Sequence, residues 1–179
     1  LEQMMHEPGG LLDRAGLSGG LIGYVLLAFA GVGWLVRYDL RGAAARLGLR
    51  VPRISDVVTA LVAVGALWVL NSGGEWLQHR WFPVSYEADH RMSDAIAAGM
   101  GPARVLLLGL SAGIGEEITL RGALQPRLGL VLTSMLFAAL HVQYSWYGMA
   151  VIFVLGMILG VIRKRTSTTA AMAVHVIYD

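Results

Sequence analysis

The chain has 179 residues, of which 56% are hydrophobic and 15% are charged, and this excess of apolar residues argues against a water-soluble domain. The net charge of +2 would suit an anionic partner, but most Lys and Arg residues flank apolar segments, which indicates a lipid bilayer and not nucleic acid. Cysteine is absent, so disulfides, thiolate metal sites and a cysteine nucleophile are excluded.

Apolar segments predict about six membrane-spanning helices, and therefore an all-α, multi-pass transmembrane helical bundle. A hydrocarbon core about 30 Å thick needs about 20 mainly apolar residues for each helical crossing. The first two crossings are predicted at residues 17–36 and 54–70, and the third starts near Pro102 and becomes charged in its second half. The other three are predicted at residues 128–147, at 148–162 and after Thr166.

Both ends of the chain have the character of cut ends. The first residues, LEQMMHEPGG, are polar and acidic, so they do not predict a signal peptide. An apolar helical pattern continues to Asp179 without a stop signal. We divide the chain into N-terminal transmembrane helices with an extracytoplasmic segment at 1–100, and a helical core at 101–179 that carries the charges of the membrane interior. The two parts are expected to form one integrated membrane domain.

Basic residues accumulate at three places that must share one side of the membrane. Five Arg residues lie within 37–53, Arg127 lies between the third and fourth spans, and the basic residues 163–165 follow the fifth. The positive-inside rule makes that side cytoplasmic. The segment 71–101 then lies on the other side, where its Trp and Tyr residues predict an interfacial belt and a loop, with a lid over a substrate site as the alternative.

Six ionisable residues lie at membrane depth within the predicted spans. Such groups cost about 2.5 to 3.5 kcal/mol each on insertion scales, so they usually face the bundle interior and have a function. Counted from the cytoplasmic ends, positions 116, 141 and 175 lie about 16, 20 and 15 Å deep, so three helices bring polar groups to one level. The six residues are Glu116, Glu117, Arg121, His141, His175 and Asp179.

The spacing within each helix predicts which of these groups lie together. Side chains four residues apart share one face of a helix, whereas the neighbouring residue Glu116 projects about 100° away from Glu117. This rule predicts three pairs: an ion pair, an imidazole beside a carboxyl group, and an aromatic ring beside an imidazole. The pairs are Glu117–Arg121, His175–Asp179 and Phe137–His141.

Two imidazoles and a carboxylate in an apolar cavity have the components for activating water. A Glu can act as general base, and a His can share the water, ligate a metal or donate a hydrogen bond to an oxyanion. Similar clusters form proton relays and ion sites in transporters, and others are structural polar networks. The residues alone therefore leave a hydrolase, a transporter and a structural network open.

Three motifs, taken together, resemble one known family. Residues 116–121 read EEITLR and match EExxxR, residues 137–141 read FAALH and match FxxxH, and residues 175–179 read HVIYD and match HxxxN/D. In this order, each on its own apolar helix, they resemble the CPBP family of intramembrane peptidases, also called the Abi or CAAX-protease family. The resemblance implies a conical bundle of about eight helices at full length, in a bacterial cell membrane, with its active site open toward the cytoplasm.

The resemblance also implies a role for each residue. Glu116 and His141 would activate the water that hydrolyses a peptide bond, and His175 with Asp179 would polarise the substrate carbonyl. The same Glu and two His residues are a ligand set that either binds one divalent metal ion, such as zinc, or acts without it. The residues expected to support the site are Glu117, Arg121 and Phe137.

One position departs from the commoner family pattern. Many members carry Asn where this chain has Asp179, and an amide donates to an oxyanion whereas an ionised carboxylate repels it. We therefore expect this carboxyl group to be protonated, to orient His175 or to bind metal. The expected partners are a peptide or protein substrate and the lipid bilayer. The alternatives are a non-catalytic member of the same fold, which binds a partner or confers bacteriocin immunity, and a transporter.

Overall fold

The described part of the chain consists of helices and short connections. The computed structural model describes residues 12–179, so the prediction about the first ten residues lies outside it. No β-strand occurs within residues 12–179, which confirms the all-α fold. The elements in chain order are α1 (Arg14–Val32), α2 (Leu40–Arg46), α3 (Ile54–Trp81), α4 (Pro83–Ala97), α5 (Pro102–Leu110), a π-helix (Ser111–Leu124), α6 (Gln125–Ala139), α7 (Trp146–Arg165) and α8 (Thr168–Tyr178).

Fewer helices than expected are long enough to cross a bilayer by themselves. By length and apolar composition, α1, α3 and α7 qualify. A fourth crossing results if α4 and the helical segment 102–139, which are bent by 114° relative to each other, count as one span. The shorter α8 has 11 residues. The described residues therefore hold three such helices, or four crossings with the bent pair, against the six or so that the sequence predicted.

The distribution of apolar and charged side chains is that of an integral membrane protein. Large apolar side chains cover the outside of the helices, such as Leu27 on α1 at 62% exposure and Val62 on α3 at 69%. The fully buried side chains include Glu117, Arg121 and Thr133. Such an arrangement is costly in water but favourable where the exterior meets lipid.

The segment 71–101 is mostly helical, which corrects the predicted loop. α3 continues through it to Trp81, and α4 follows from Pro83. Pro at a first helical position loses no hydrogen bond, because the N–H groups of the first turn have no partner within the helix. α4 is a surface helix without a buried residue. His79 and His90 are exposed.

The chain reverses direction at Gly129, within the element that begins at Gln125. The backbone angles of Gly129, φ 80° and ψ 173°, are not helical and favour glycine. A straight helix would separate Arg121 from Phe137 by about 24 Å. The Arg121 guanidinium instead lies 4.9 Å from the centre of the Phe137 ring. The boundary predicted between the third and fourth spans is thus confirmed.

The π-helix lies at the centre of the bundle and carries the EExxxR motif. It packs against α1, α6 and α8. A Cβ atom on Gly113 would lie 2.6 Å from the backbone nitrogen of Val176, so glycine is what allows α8 to approach so closely. π-Helical hydrogen bonding is rare and occurs frequently at functional sites.

The three basic segments lie at one end of the bundle. Arg127 donates a hydrogen bond to the carbonyl of Gly31 (3.3 Å), shortly before the first basic segment. Thr168, shortly after the last one, donates to the carbonyl of Leu47 (2.6 Å) within the first. We call this the arginine-rich end, and it comprises residues 37–53, 127 and 163–165. The other end of the bundle comprises residues 75–97 and 143–149, and we call it the opposite end.

Candidate active site

A fully buried carboxylate joins the π-helix to α8. Oε2 of Glu117 lies 3.6 Å from Nε of Arg121, and its Oε1 lies 3.3 Å from Nδ1 of His175. Arg121 is also fully buried, and its Nη2 donates to the carbonyl of Gly156 on α7 (3.2 Å). The predicted ion pair between Glu117 and Arg121 is confirmed. The contact with His175 was not predicted, because residue spacing says nothing about how one helix is rotated relative to another.

His175 lies between two carboxylates. Its Nε2 is 3.4 Å from Oδ2 of Asp179, which confirms the pair expected from their spacing. Of these two contacts only the one between Nδ1 and Glu117 is a hydrogen bond, and the one with Asp179 is at ion-pair distance. The side chain of His175 is 7% exposed and that of Asp179 is 29% exposed, so the row Glu117–His175–Asp179 leads from the interior outward.

The Phe137 ring packs between the two histidines. Its centre lies 5.0 Å from that of the His141 ring and 5.7 Å from that of the His175 ring. Nδ1 of His141 is 2.8 Å from the carbonyl oxygen of Phe137. Because a carbonyl only accepts hydrogen bonds, Nδ1 must be the donor, and in the neutral ring Nε2 is then left as an acceptor.

Glu116 is half-buried and lies near both histidines. It is close enough to His141 and His175 for their charges to interact. Its Oε2 atom is buried and makes no hydrogen bond with the described residues. Buried carboxylate oxygens without a partner are rare in proteins, so this atom is available to a water molecule or a substrate.

A cavity of about 280 Å³ reaches the two histidines. This volume is at the lower end of the range for ligand sites. His141, His175 and Asp179 line it, whereas Glu116 does not. Glu116 is thus within range of charge interaction with the histidines but does not lie on the cavity wall. The apolar part of the wall comes from Leu67, Phe137, Val151, Ile152, Leu155 and Leu159.

A polar network that the sequence did not predict lies at the mouth of the cavity. Asp89 on α4 accepts hydrogen bonds from the side-chain amide of Gln78 (2.7 Å) and from the hydroxyl of Ser145 (2.7 Å). Its other oxygen accepts from the backbone N–H of Ser145 (2.5 Å). Ser145 also caps α7, a role that a serine before an apolar helix indicates. Nothing in the sequence indicates Asp89 as its partner, since the two residues are distant along the chain.

The residues expected as metal ligands do not fit a metal site. A zinc ion needs three or more protein ligands directed at one point. Both ring nitrogens of His175 face carboxylates. Across residues 12–179, no three His, Asp or Glu side chains are grouped in a way that would hold an ion. The set Glu116, His141 and His175 is therefore better described as acid–base groups than as ligands.

Comparisons with known proteins agree with the three sequence motifs. Residues 98–179 match the family model described as type II CAAX prenyl endopeptidase Rce1-like. The uncharacterized protein YpbD of Bacillus subtilis (strain 168) is 29% identical over 103 residues, which are 56% of this chain and 54% of that protein. The chain thus spans about half the length of this relative. No solved structure gives a significant match.

Proposed function

We propose that the domain at residues 98–179, a member of the Rce1-like CAAX prenyl endopeptidase family, hydrolyses a peptide bond within the membrane. The observation that carries this proposal is the unpartnered, buried Oε2 of Glu116, within range of charge interaction with two histidines. A free carboxylate oxygen and an imidazole acceptor at one place are the groups that water activation requires.

The reaction follows from the hydrogen-bonding capacity of each side chain. Glu116 takes one proton from a water molecule as the water oxygen bonds to the substrate carbonyl carbon, and Nε2 of His141 accepts a hydrogen bond from the second O–H. His175, whose Nδ1 is hydrogen-bonded to Glu117, donates its Nε2–H to the carbonyl oxygen as negative charge develops there. The C–N bond then breaks, and the proton on Glu116 passes to the leaving amine. Glu116 returns to its carboxylate form.

The remaining residues of the motifs act as positioning residues. Glu117 holds Nδ1 of His175, and Arg121 neutralises that carboxylate in the interior. Oδ2 of Asp179 lies 3.4 Å from Nε2 of His175, so we assign Asp179 to orienting the imidazole and not to direct contact with an oxyanion. Fixed orientation matters because misplacing a catalytic group by about 1 Å costs about 100-fold in rate.

The proposal is tested by replacing the base while keeping its shape. In Glu116→Gln the amide has nearly the same size as the carboxyl group but cannot take a proton, so we expect cleavage to fall about 100-fold or more. The probes are an internally quenched farnesylated CAAX peptide and a quenched transmembrane peptide without a lipid, each with protein reconstituted in liposomes. Glu87→Gln is the matched control, since Glu87 is 68% exposed on α4.

Two outcomes contradict the proposal. One is a Glu116→Gln variant that cleaves either probe at the wild-type rate. The other is a folded wild-type protein that cleaves neither probe. Near-UV circular dichroism of each variant verifies that lost cleavage does not reflect lost packing.

A further inference from the structure

Each histidine on the cavity wall is followed three residues later by a tyrosine. Tyr144 follows His141, and Tyr178 follows His175. The backbone N–H of Tyr144 donates to the carbonyl of His141 (3.0 Å), so a single turn of chain separates these two residues. Residues three apart on a helix are neighbours on its surface, which places Tyr178 beside His175 on α8. Both tyrosines line the cavity, as both histidines do, so the wall carries two phenol groups next to the two imidazoles.

The hydroxyl groups of these two tyrosines make no hydrogen bond with the described residues. By contrast, the hydroxyl of Tyr147 donates to the carbonyl of Gly74 (2.9 Å), and Tyr147 does not line the cavity. The ring of Tyr178 packs against the apolar core, and Tyr178 lies within range of electrostatic interaction with Tyr144. Both residues are half-buried, and a buried tyrosine hydroxyl usually has a hydrogen-bond partner. The two hydroxyls are therefore available to a molecule that enters the cavity.

We propose that Tyr144 and Tyr178 bind the peptide substrate by its backbone, each hydroxyl donating a hydrogen bond to a carbonyl oxygen near the scissile bond. This inference rests on the proposed peptidase function and adds the form in which the substrate is held. The carbonyl groups inside an α-helix already accept hydrogen bonds from the N–H groups four residues further along. The bound segment is therefore extended, and a helical substrate has to unwind there before it is cleaved.

Glu75 on α3 supplies the complementary hydrogen-bond acceptor. It lines the cavity and lies within range of electrostatic interaction with Tyr178. The side-chain amide of Asn71, one turn earlier, donates to Oε1 of Glu75 (2.9 Å) and orients the carboxylate. A carboxylate has about four acceptor sites, so it can also accept a backbone N–H of the peptide. An extended peptide offers both C=O and N–H groups, whereas a prenyl chain offers neither, so the two tyrosines and Glu75 recognise a peptide backbone.

The test measures peptide binding and not cleavage. The full chain carries Glu116→Gln, which keeps the peptide intact, and is reconstituted in lipid nanodiscs. Fluorescence anisotropy gives the Kd of two labelled peptides, the transmembrane peptide without a lipid and the farnesylated CAAX peptide. Tyr144→Phe and Tyr178→Phe each remove one hydroxyl group and keep the ring. Tyr86→Phe is the matched control, because Tyr86 on α4 does not line the cavity.

Each of the two substitutions in the cavity is expected to raise the Kd of both peptides about 5-fold, which corresponds to the loss of one neutral hydrogen bond. The control is expected to leave the Kd unchanged. A series of peptides in which one backbone C=O is replaced by C=S, a weaker acceptor, separates backbone binding from an indirect effect. One such replacement should weaken binding to the protein with both tyrosines but not to the matching Phe variant.

An unchanged Kd in Tyr144→Phe or Tyr178→Phe overturns the assignment of that tyrosine, as does a C=S effect that persists in its Phe variant. Binding of neither peptide overturns the inference as a whole. The two tyrosines are tested independently, so a variant that does not fold leaves the other as the test. Because binding needs no turnover, failure of the peptidase proposal in the Glu116→Gln cleavage assay is distinguishable from failure of this one.

Discussion

Glu117 and Arg121 form an ion pair in the bundle interior that shares its carboxylate with a histidine. Neither side chain is exposed, and Nε and Nη1 of Arg121 make no hydrogen bond with the described residues. The sequence allowed the pairs four residues apart to be predicted, because helix geometry alone determines them. It did not allow Glu117–His175 to be predicted, since that contact depends on how the π-helix and α8 are rotated against each other.

Loss of Arg121 is expected to destabilise the protein strongly. Arg121→Met leaves Glu117 without its cation in a buried position, and removing one partner of a buried pair costs roughly 3–5 kcal/mol. The measurement is the free energy of unfolding in detergent micelles. Arg91→Met is the control, because Arg91 pairs with Glu87 on the surface at 72% and 68% exposure, where such pairs contribute less than about 1 kcal/mol. Equal effects of the two substitutions would refute the buried pair.

Two substitutions test whether Asp179 positions His175 by contact or by its negative charge. Asn has nearly the same shape as Asp, and its carbonyl oxygen can contact Nε2 of His175 in the same way, so we expect Asp179→Asn to retain most of the peptide-cleaving activity. Asp179→Ala removes the acceptor and should lower kcat with little change in KM, because His175 loses its orientation. If Asn is as damaging as Ala, the negative charge itself is required and the positioning role is wrong.

At the scale of elements, glycines determine how closely helices pack around the π-helix. Gly113 meets α8 at Val176, and Gly156 on α7 meets Phe137 and Arg121. Gly156 and Gly160, four residues apart on α7, therefore allow neighbouring elements to pack closely against this helix. Apolar segments allowed most helices to be predicted, but not the length of α3 or the presence of α4. The charged residues of these helices lie at the polar mouth of the cavity. A helical segment of that composition cannot be told from a loop by its sequence.

Substitution of one of these glycines should separate the helices of the site. In Gly113→Ala the new Cβ would meet the backbone of Val176 at 2.6 Å, and backbone cannot move aside as a flexible side chain can. Overpacking of this kind typically costs about 1–3 kcal/mol. Gly65→Ala, within α3, is the control because no atom lies within 4 Å of its Cβ position. A thermal unfolding midpoint that is equal in both variants would contradict this packing.

At the scale of the whole molecule, the bundle has one closed end and one open end. The closed end coincides with the clusters of Arg, and the open end with the polar mouth formed by α3, α4 and α7. The distribution of Lys and Arg along the sequence predicted which segments share an end, because short loops cannot cross the bilayer. It could not predict where the cavity opens, since that depends on how α2 and the residues after it pack on α8.

The most direct test is a structure of the Glu116→Gln variant, reconstituted in a lipid nanodisc, with an uncleaved peptide bound. The account predicts that the scissile carbonyl of the peptide lies within hydrogen-bonding distance of His175, with a water molecule held by His141. A peptide bound outside the cavity, or with its carbonyl beyond the reach of both histidines, would contradict it.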